Sequence, residues 1–276
     1  MVSLRHSGPS EFGDNGTMES AKRRMNQILT ARYLVPALCA VLALTARGDE
    51  SEYLTMWPDQ EFDFARLVYY DSGRGWRGGS WTVDYPEAEF FFNKGVSRLS
   101  RVDMGGNGVQ IELDDDSLFN YPWLYAVEVG YWQLSDYETT RLREYLLRGG
   151  FLMVDDFHGS SEWLGFINSM NRVFPDRPIV DIEDSHEILH VVYDVDERIQ
   201  IPGISPLMRG VTYEQDGVEP HWRGIYDDNG RLMVVINHNM DLGDAWEHAD
   251  DISYPQEMTT LALHFAVNYV IYSMTH

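Results

Sequence analysis

One cysteine and two lysines are what this chain of 276 residues has least of. The cysteine, Cys39, sits inside an apolar run, so the chain beyond that run has no thiol. Disulfides, a cysteine nucleophile and thiolate metal ligands are thereby excluded from it. The lysines are Lys22 and Lys94; with the arginines they make 21 basic residues against 44 acidic ones, a net charge of −23. A surface of that sign repels phosphate backbones and anionic lipid, which argues against nucleic acid as a partner and leaves membrane contact to the N-terminal segment alone. The sequence also has no internal repeat and no low-complexity tract.

The charge is uneven. Residues 1–48 hold six basic residues and three acids, leaving 15 basic and 41 acidic residues, net −26, for the rest. Tyr33 to Ala46 (YLVPALCAVLALTA) is a 14-residue apolar run with a basic approach and a small-residue exit. It is shorter than the ~20 residues of a membrane-crossing helix and has the pattern of an export signal, with retention as a single anchor as the alternative. The expected location is exported: periplasmic, or anchored to the inner membrane by this segment. Arg23-Arg24 hints at twin-arginine export, although Met25-Asn26 follows where that motif wants an apolar residue. Leu38 before Cys39 is too bulky for a good lipoprotein signal. The expected organisation is a leader over 1–48, a linker over 49–61 and one α/β domain over 62–276.

The stretch Tyr121 to Phe157 organises that domain. It reads as a strand (Trp123 to Val129), a loop, a helix (Asp136 to Arg148) and a strand (Phe151 to Asp155). Ser135 with Glu138 three residues on spells a capping box, Leu142, Tyr145 and Leu146 share a face, and Gly149-Gly150 supply the stop. Such a unit is a right-handed crossover between parallel strands. The fold class is therefore α/β, three-layer and doubly wound around a mostly parallel, flavodoxin-like sheet. Further strands are predicted at Phe62 to Tyr70, Gly108 to Leu113, Ile188 to Val195 and Arg231 to Ile236, with Ile179 to Ile182 extended. Helices are predicted over Pro86 to Val96, burying Phe90, Phe91 and Phe92; from caps at Ser160 and Ser161 to Arg172; and after Pro255. Asp114 to Asp116 reads as a solvated acidic turn, and Asp241 to Asp251 as an acidic loop.

The segments LSDYETTRLREYLLRGGFLMVDDFHGS and MNRVFPDRPIVDIEDSHEILHVVYDV, then DLGDAWEH and a final VNYVIYSMT helix, resemble DUF4159, a bacterial domain family of unknown function, from about Phe62 to Thr275. The resemblance implies a fold like that of class I glutamine amidotransferases. Their cysteine would fall on the turn Asp155-Asp156-Phe157-His158, where this chain has none, so glutaminase chemistry is excluded by residue type. Family members commonly carry Gly-His where this chain has Gly130-Tyr131, so no histidine role is carried over there.

In parallel sheets ligands bind beyond the carboxyl ends of the strands. The catalytic candidates there are Asp155, Asp156 and His158, with Glu247 and His248 from the late loop; His238 ends the late strand. The ligand-binding candidates are Glu128, Gly130, Tyr131 and Trp246, with Asp71 and Arg74 from the glycine-rich loop after the first strand. Two readings stand. In one, the protein is a non-catalytic module recognising a protein partner, a glycan or a small molecule through loop tryptophans (Trp76, Trp81, Trp132, Trp222, Trp246). In the other, converging carboxylates and imidazoles hold a divalent metal or perform acid/base hydrolysis. No residue is assigned as a metal ligand and no cofactor is named. A cleft uniting Asp156, His158 and Glu247 or His248 would favour the enzyme; a flat tryptophan patch would favour the module.

Overall fold

The computed structural model of the protein describes residues 60–71, 79–196 and 198–276. The leader, the apolar run with Cys39, nearly all of the expected linker, and the glycine-rich loop with Arg74 and Trp76 lie outside the described residues. The chain runs through β1 (Ala65–Val68), α1 (Glu87–Ser100), β2 (Val109–Glu112), β3 (Trp123–Val127), α2 (Asp136–Leu147), β4 (Phe151–Asp155) and α3 (Gly159–Val173). It continues through β5 (Val180–Asp181), α4 (Ile204–Met208), β6 (His221–Tyr226), β7 (Leu232–His238), α5 (Leu242–Glu247) and α6 (Gln256–Thr275). No helix among the described residues is long and apolar enough to cross a membrane.

The sheet order is β2-β1-β3-β4-β7-β6-β5. The five strands from β2 to β7 are parallel, and β6 and β5 add an antiparallel edge. The expected crossover is present, with Trp123 beside Phe151 and Val127 beside Asp155. Ser135 caps α2 in the capping box that its spacing predicts, and Gly149 turns the chain out at φ +111°. Central strands buried on both faces are continuous apolar runs. Trp123, Tyr125 and Val127 face a core shared with α1, α5 and α6, and Leu124 and Ala126 face one shared with α2 and α3. Helices thus cover both faces, and the polar residues are left to the strand ends.

Four local expectations fail for physical reasons. Ile188 to Val195 is no strand: Glu187–Leu189 is a 3-10 turn, His186 Nδ1 accepts from Ile188 N, and the buried Asn268 amide accepts from Val192 N and Tyr193 N. The Asn268 side chain thus takes the place of a neighbouring strand. Ser160 and Ser161 lie inside α3, whose first amides bond instead to Asn239 Oδ1 and Asp216 Oδ1. Phe92 is buried while Phe90 is 54% exposed, because consecutive residues on a helix point about 100° apart. Asp241 to Asp251 is not simply a loop: Asp241 accepts from Asp244 N and caps the short helix α5.

One buried charge ties β1 to the next segments of the chain. Arg66 is fully buried and pairs with Glu89 of α1, and its Nη1 donates to Trp81 O (3.0 Å) and Val83 O (2.9 Å). Removing one partner of such a pair leaves an uncompensated buried charge, so Glu89→Ala is expected to lower unfolding free energy by about 3–5 kcal/mol. Removing Glu144 from its exposed pair with Arg148 should cost under about 1 kcal/mol. Urea titrations of the two variants check this; equal losses would show that Arg66 does not need its partner.

Candidate functional site

Three parallel strands end in the same way. Glu128 after β3, Asp156 after β4 and Asn239 after β7 have φ of +54°, +47° and +63°, a region that residues other than glycine seldom adopt. Hydrogen bonds between the strand ends hold them there. Glu128 N reaches Asp155 O and Asp156 O, Asp156 N donates to Met240 O, and Asn239 N donates to Phe157 O. The turns at Glu128 and Asp156 put their carboxylates on the rim, while the Asn239 side chain is buried, accepting from Gly159 N and donating to Glu219 O.

The side chains converge on a cleft of about 400 Å³. Glu128, Asp156 and His158 come from the strand ends and Glu162 from α3. Asp241, Asp244, Glu247 and His248 come from the cap and body of α5, Asp84 from the segment held by Arg66, and Glu214 from the loop before β6. Eight carboxylates and two imidazoles line it, with no lysine or arginine among the described lining residues. Oxygens of Asp84, Asp156 and Asp241 lie within 4.8 Å of one another, as do ligand atoms of Asp244, Glu247 and His248. Asp156 Oδ1 and His158 Nε2 are 3.0 Å apart.

Burial dominates the electrostatics. It raises Asp156, Asp241 and Asp84 well above the usual carboxylate range, and their acidic neighbours add to the rise: Glu128 for Asp156, Asp156 for Asp241, Asp244 for Asp84. The Arg66 charge works the other way on Asp84. Glu247 is raised by burial and then by Asp244. Burial, with His238 adding to it, pushes His158 down to about 3, so its ring is neutral.

Of the expected catalytic residues, Asp156, His158, Glu247 and His248 meet in the cleft. Asp155 does not. It is fully buried, its Oδ2 accepts from Leu242 N (2.8 Å) and Gly243 N (3.1 Å), and burial raises it to about 7 against the pull of those amides. Its work is to fix the first turn of α5 over the cleft. Among the expected binding residues that are described, only Glu128 lines the cleft. Gly130 is a packing position, since a Cβ there would overlap Glu162 of α3. Tyr131 hydrogen-bonds Glu162, and Asp71 accepts from Ser80 N (2.6 Å) and bridges to Trp132, away from the cleft. Trp246 is wholly buried against Phe92 and Tyr125, and Trp132 and Trp222 are buried too, so these three form no exposed patch. His238 is buried beside Phe157 and Trp163. The expected acidic turn is capped by Asp115, which accepts from Ser117 N.

Five cleft carboxylates had no place in the sequence reading: Asp84, Glu162, Glu214, Asp241 and Asp244. A signal existed for one group, because Asp244, Glu247 and His248 at i, i+3 and i+4 share a face once DLGDAWEH is read as a helix. Asp84 had none, since tertiary contacts, those of Arg66 to Trp81 O and Val83 O among them, bring its segment to the rim.

The sequence model of a family described as "Domain of unknown function (DUF4159)" matches residues 63–274. The chain belongs to the DUF4159 family. No curated protein matches it. The family match spans every strand and all but the last residue of α6, so the cleft lies wholly within the DUF4159 domain.

Asp155→Ala is expected to lower stability by about 1–3 kcal/mol, because two helix amides and the Tyr125 hydroxyl lose their acceptor. Asp155→Asn, which keeps an oxygen, should lose less. Melting curves decide; an alanine variant as stable as the parent would remove the anchoring role.

Proposed function

We propose that this DUF4159 protein is a hydrolase working from the acidic cleft, and not a recognition module faced with tryptophan. The observation that carries this reading is the Asp156–His158 pair at 3.0 Å inside a concave site that Glu247 and His248 also line. A carboxylate raised by burial is a stronger base than an exposed one, and beside a neutral imidazole it can take a proton from an attacking water. The half-buried Glu247, also raised, can return one to the leaving group. The buried tryptophans count against a protein or glycan platform. The parallel order β2-β1-β3-β4-β7 supports a flavodoxin-like or class I glutamine-amidotransferase-like arrangement, in which a site at these strand ends is the general rule.

To test the reading, the purified full-length chain is offered panels of chromogenic esters, phosphoesters, amides and glycosides with divalent salts present. One class should be cleaved, and Asp156→Asn should slow it about 10²- to 10⁴-fold without lowering the melting temperature. No turnover on any panel, or an Asp156→Asn protein as fast as the parent, would overturn it.

We also infer export, supported by the basic approach, apolar run and small-residue exit of residues 33–48. Fractionation of expressing bacterial cells should find the domain in the periplasm or on the inner membrane. Protein with an intact N-terminus in the cytosol refutes this.

A further inference from the structure

Three carboxylates of the cleft are short of hydrogen-bond donors. Asp156 and Asp241 are 6% and 4% exposed, and each engages one oxygen: Asp156 Oδ1 with His158 Nε2 at 3.0 Å, Asp241 Oδ1 with Asp244 N at 2.7 Å. Their second oxygens receive no donor among the described residues. Asp84 Oδ2 is buried without any hydrogen-bond partner. Buried carboxylates ordinarily collect two or three donors or an opposite charge. The nearby Arg66 directs its Nε and Nη1 donors at Glu89, Trp81 and Val83, and hydrogen-bonds none of the three.

The backbone also approaches two of these oxygens closely. Gly203 has φ −64°, which any residue adopts, so conformation does not call for a glycine there. A Cβ at Gly203 would lie 2.7 Å from Asp241 Oδ2 and 2.9 Å from Asp244 Oδ2. Gly243 lies inside α5, where glycine weakens a helix by about 1 kcal/mol, and a Cβ there would overlap Asp84 Oδ2. Both glycines let the carboxylate oxygens pack directly against backbone, and a side chain at either position would displace them.

We propose that Asp84, Asp156 and Asp241 together hold one hard divalent cation, Mg²⁺, Mn²⁺ or Ca²⁺. An all-oxygen donor set selects such ions over zinc or copper, which favour imidazole and thiolate. His158 is the outer partner: its Nε2–H donates to Asp156 Oδ1 and leaves the other oxygen for the ion. The cation would acidify an incoming water, and Glu247 would keep its place as the acid for the leaving group. This deepens the hydrolase reading by naming what its cleft holds, but binding is measured without turnover, so each idea can fail alone.

The test uses the full-length chain, stripped with chelator and titrated with MgCl₂, MnCl₂ and CaCl₂ by calorimetry, with Mn²⁺ paramagnetic resonance as a second signature. One site per chain is expected for at least one ion, with a rise in melting temperature on loading. Asp84→Asn and Asp241→Asn should each weaken binding at least about tenfold. Gly203→Ala removes no ligand and should also weaken binding, which keeps the proposal testable if an aspartate variant fails to fold. Asp114→Asn, on the exposed turn, should change nothing. No binding of any of the three ions, or binding unaltered in Asp84→Asn, Asp241→Asn and Gly203→Ala, overturns the proposal. Binding without turnover on any substrate panel would retain the cation site and discard the hydrolase.

Discussion

The buried guanidinium of Arg66 is the interaction on which the site depends. It stands on β1 with no exposed surface, takes its counter-charge from Glu89 of α1, and donates to the carbonyls of Trp81 and Val83. A guanidinium cannot shed its proton in a protein interior, so the groups around it must arrange themselves to satisfy it. That requirement fixes α1 against the sheet and draws the stretch before it across the strand ends. Asp84 comes immediately after Val83, at φ +63°, and becomes a wall of the cleft.

The opposite wall is built by a second internal anchor. Asp155, at the end of β4, accepts the first amides of α5 and so fixes a helix of six residues that would not form alone. That helix carries Trp246 into the aromatic core of Phe92 and Tyr125 on one face and presents Asp244, Glu247 and His248 to the cleft on the other. Neighbouring residues at the end of β4 thus divide the labour. Asp155 is turned into the core and anchors α5, and Asp156, thrown the other way by its left-handed turn, lines the cleft.

An excess of acid over base gives this arrangement its character. Asp84, Asp156, Asp241 and Glu247 resist ionisation because they are buried beside other acids, and such a grouping persists only where the surrounding fold over-determines it. The hydrogen bonds between the ends of β3, β4 and β7 supply that constraint.

The amino-acid sequence alone determined the elements whose cause is local. The capping box and glycine stop of α2, the apolar runs of β3, β4 and β7, the crossover that makes β3 and β4 parallel, and the placing of polar residues at their ends come from period, cap and connection length. Asp156, His158, Glu247 and His248 were legible for the same reason, since each closely succeeds a readable strand or lies in a readable acidic segment. Only the tertiary structure decided the rest. A β-branched run at Ile188 to Val195 gave way to the side chain of Asn268, tryptophans that sequence places on loops went to the core, and Asp84, Asp241 and Glu214 arrived from three separate segments. Their meeting depends on where Arg66 and Asp155 find partners across the fold, and a partner distant in sequence leaves no trace in local pattern.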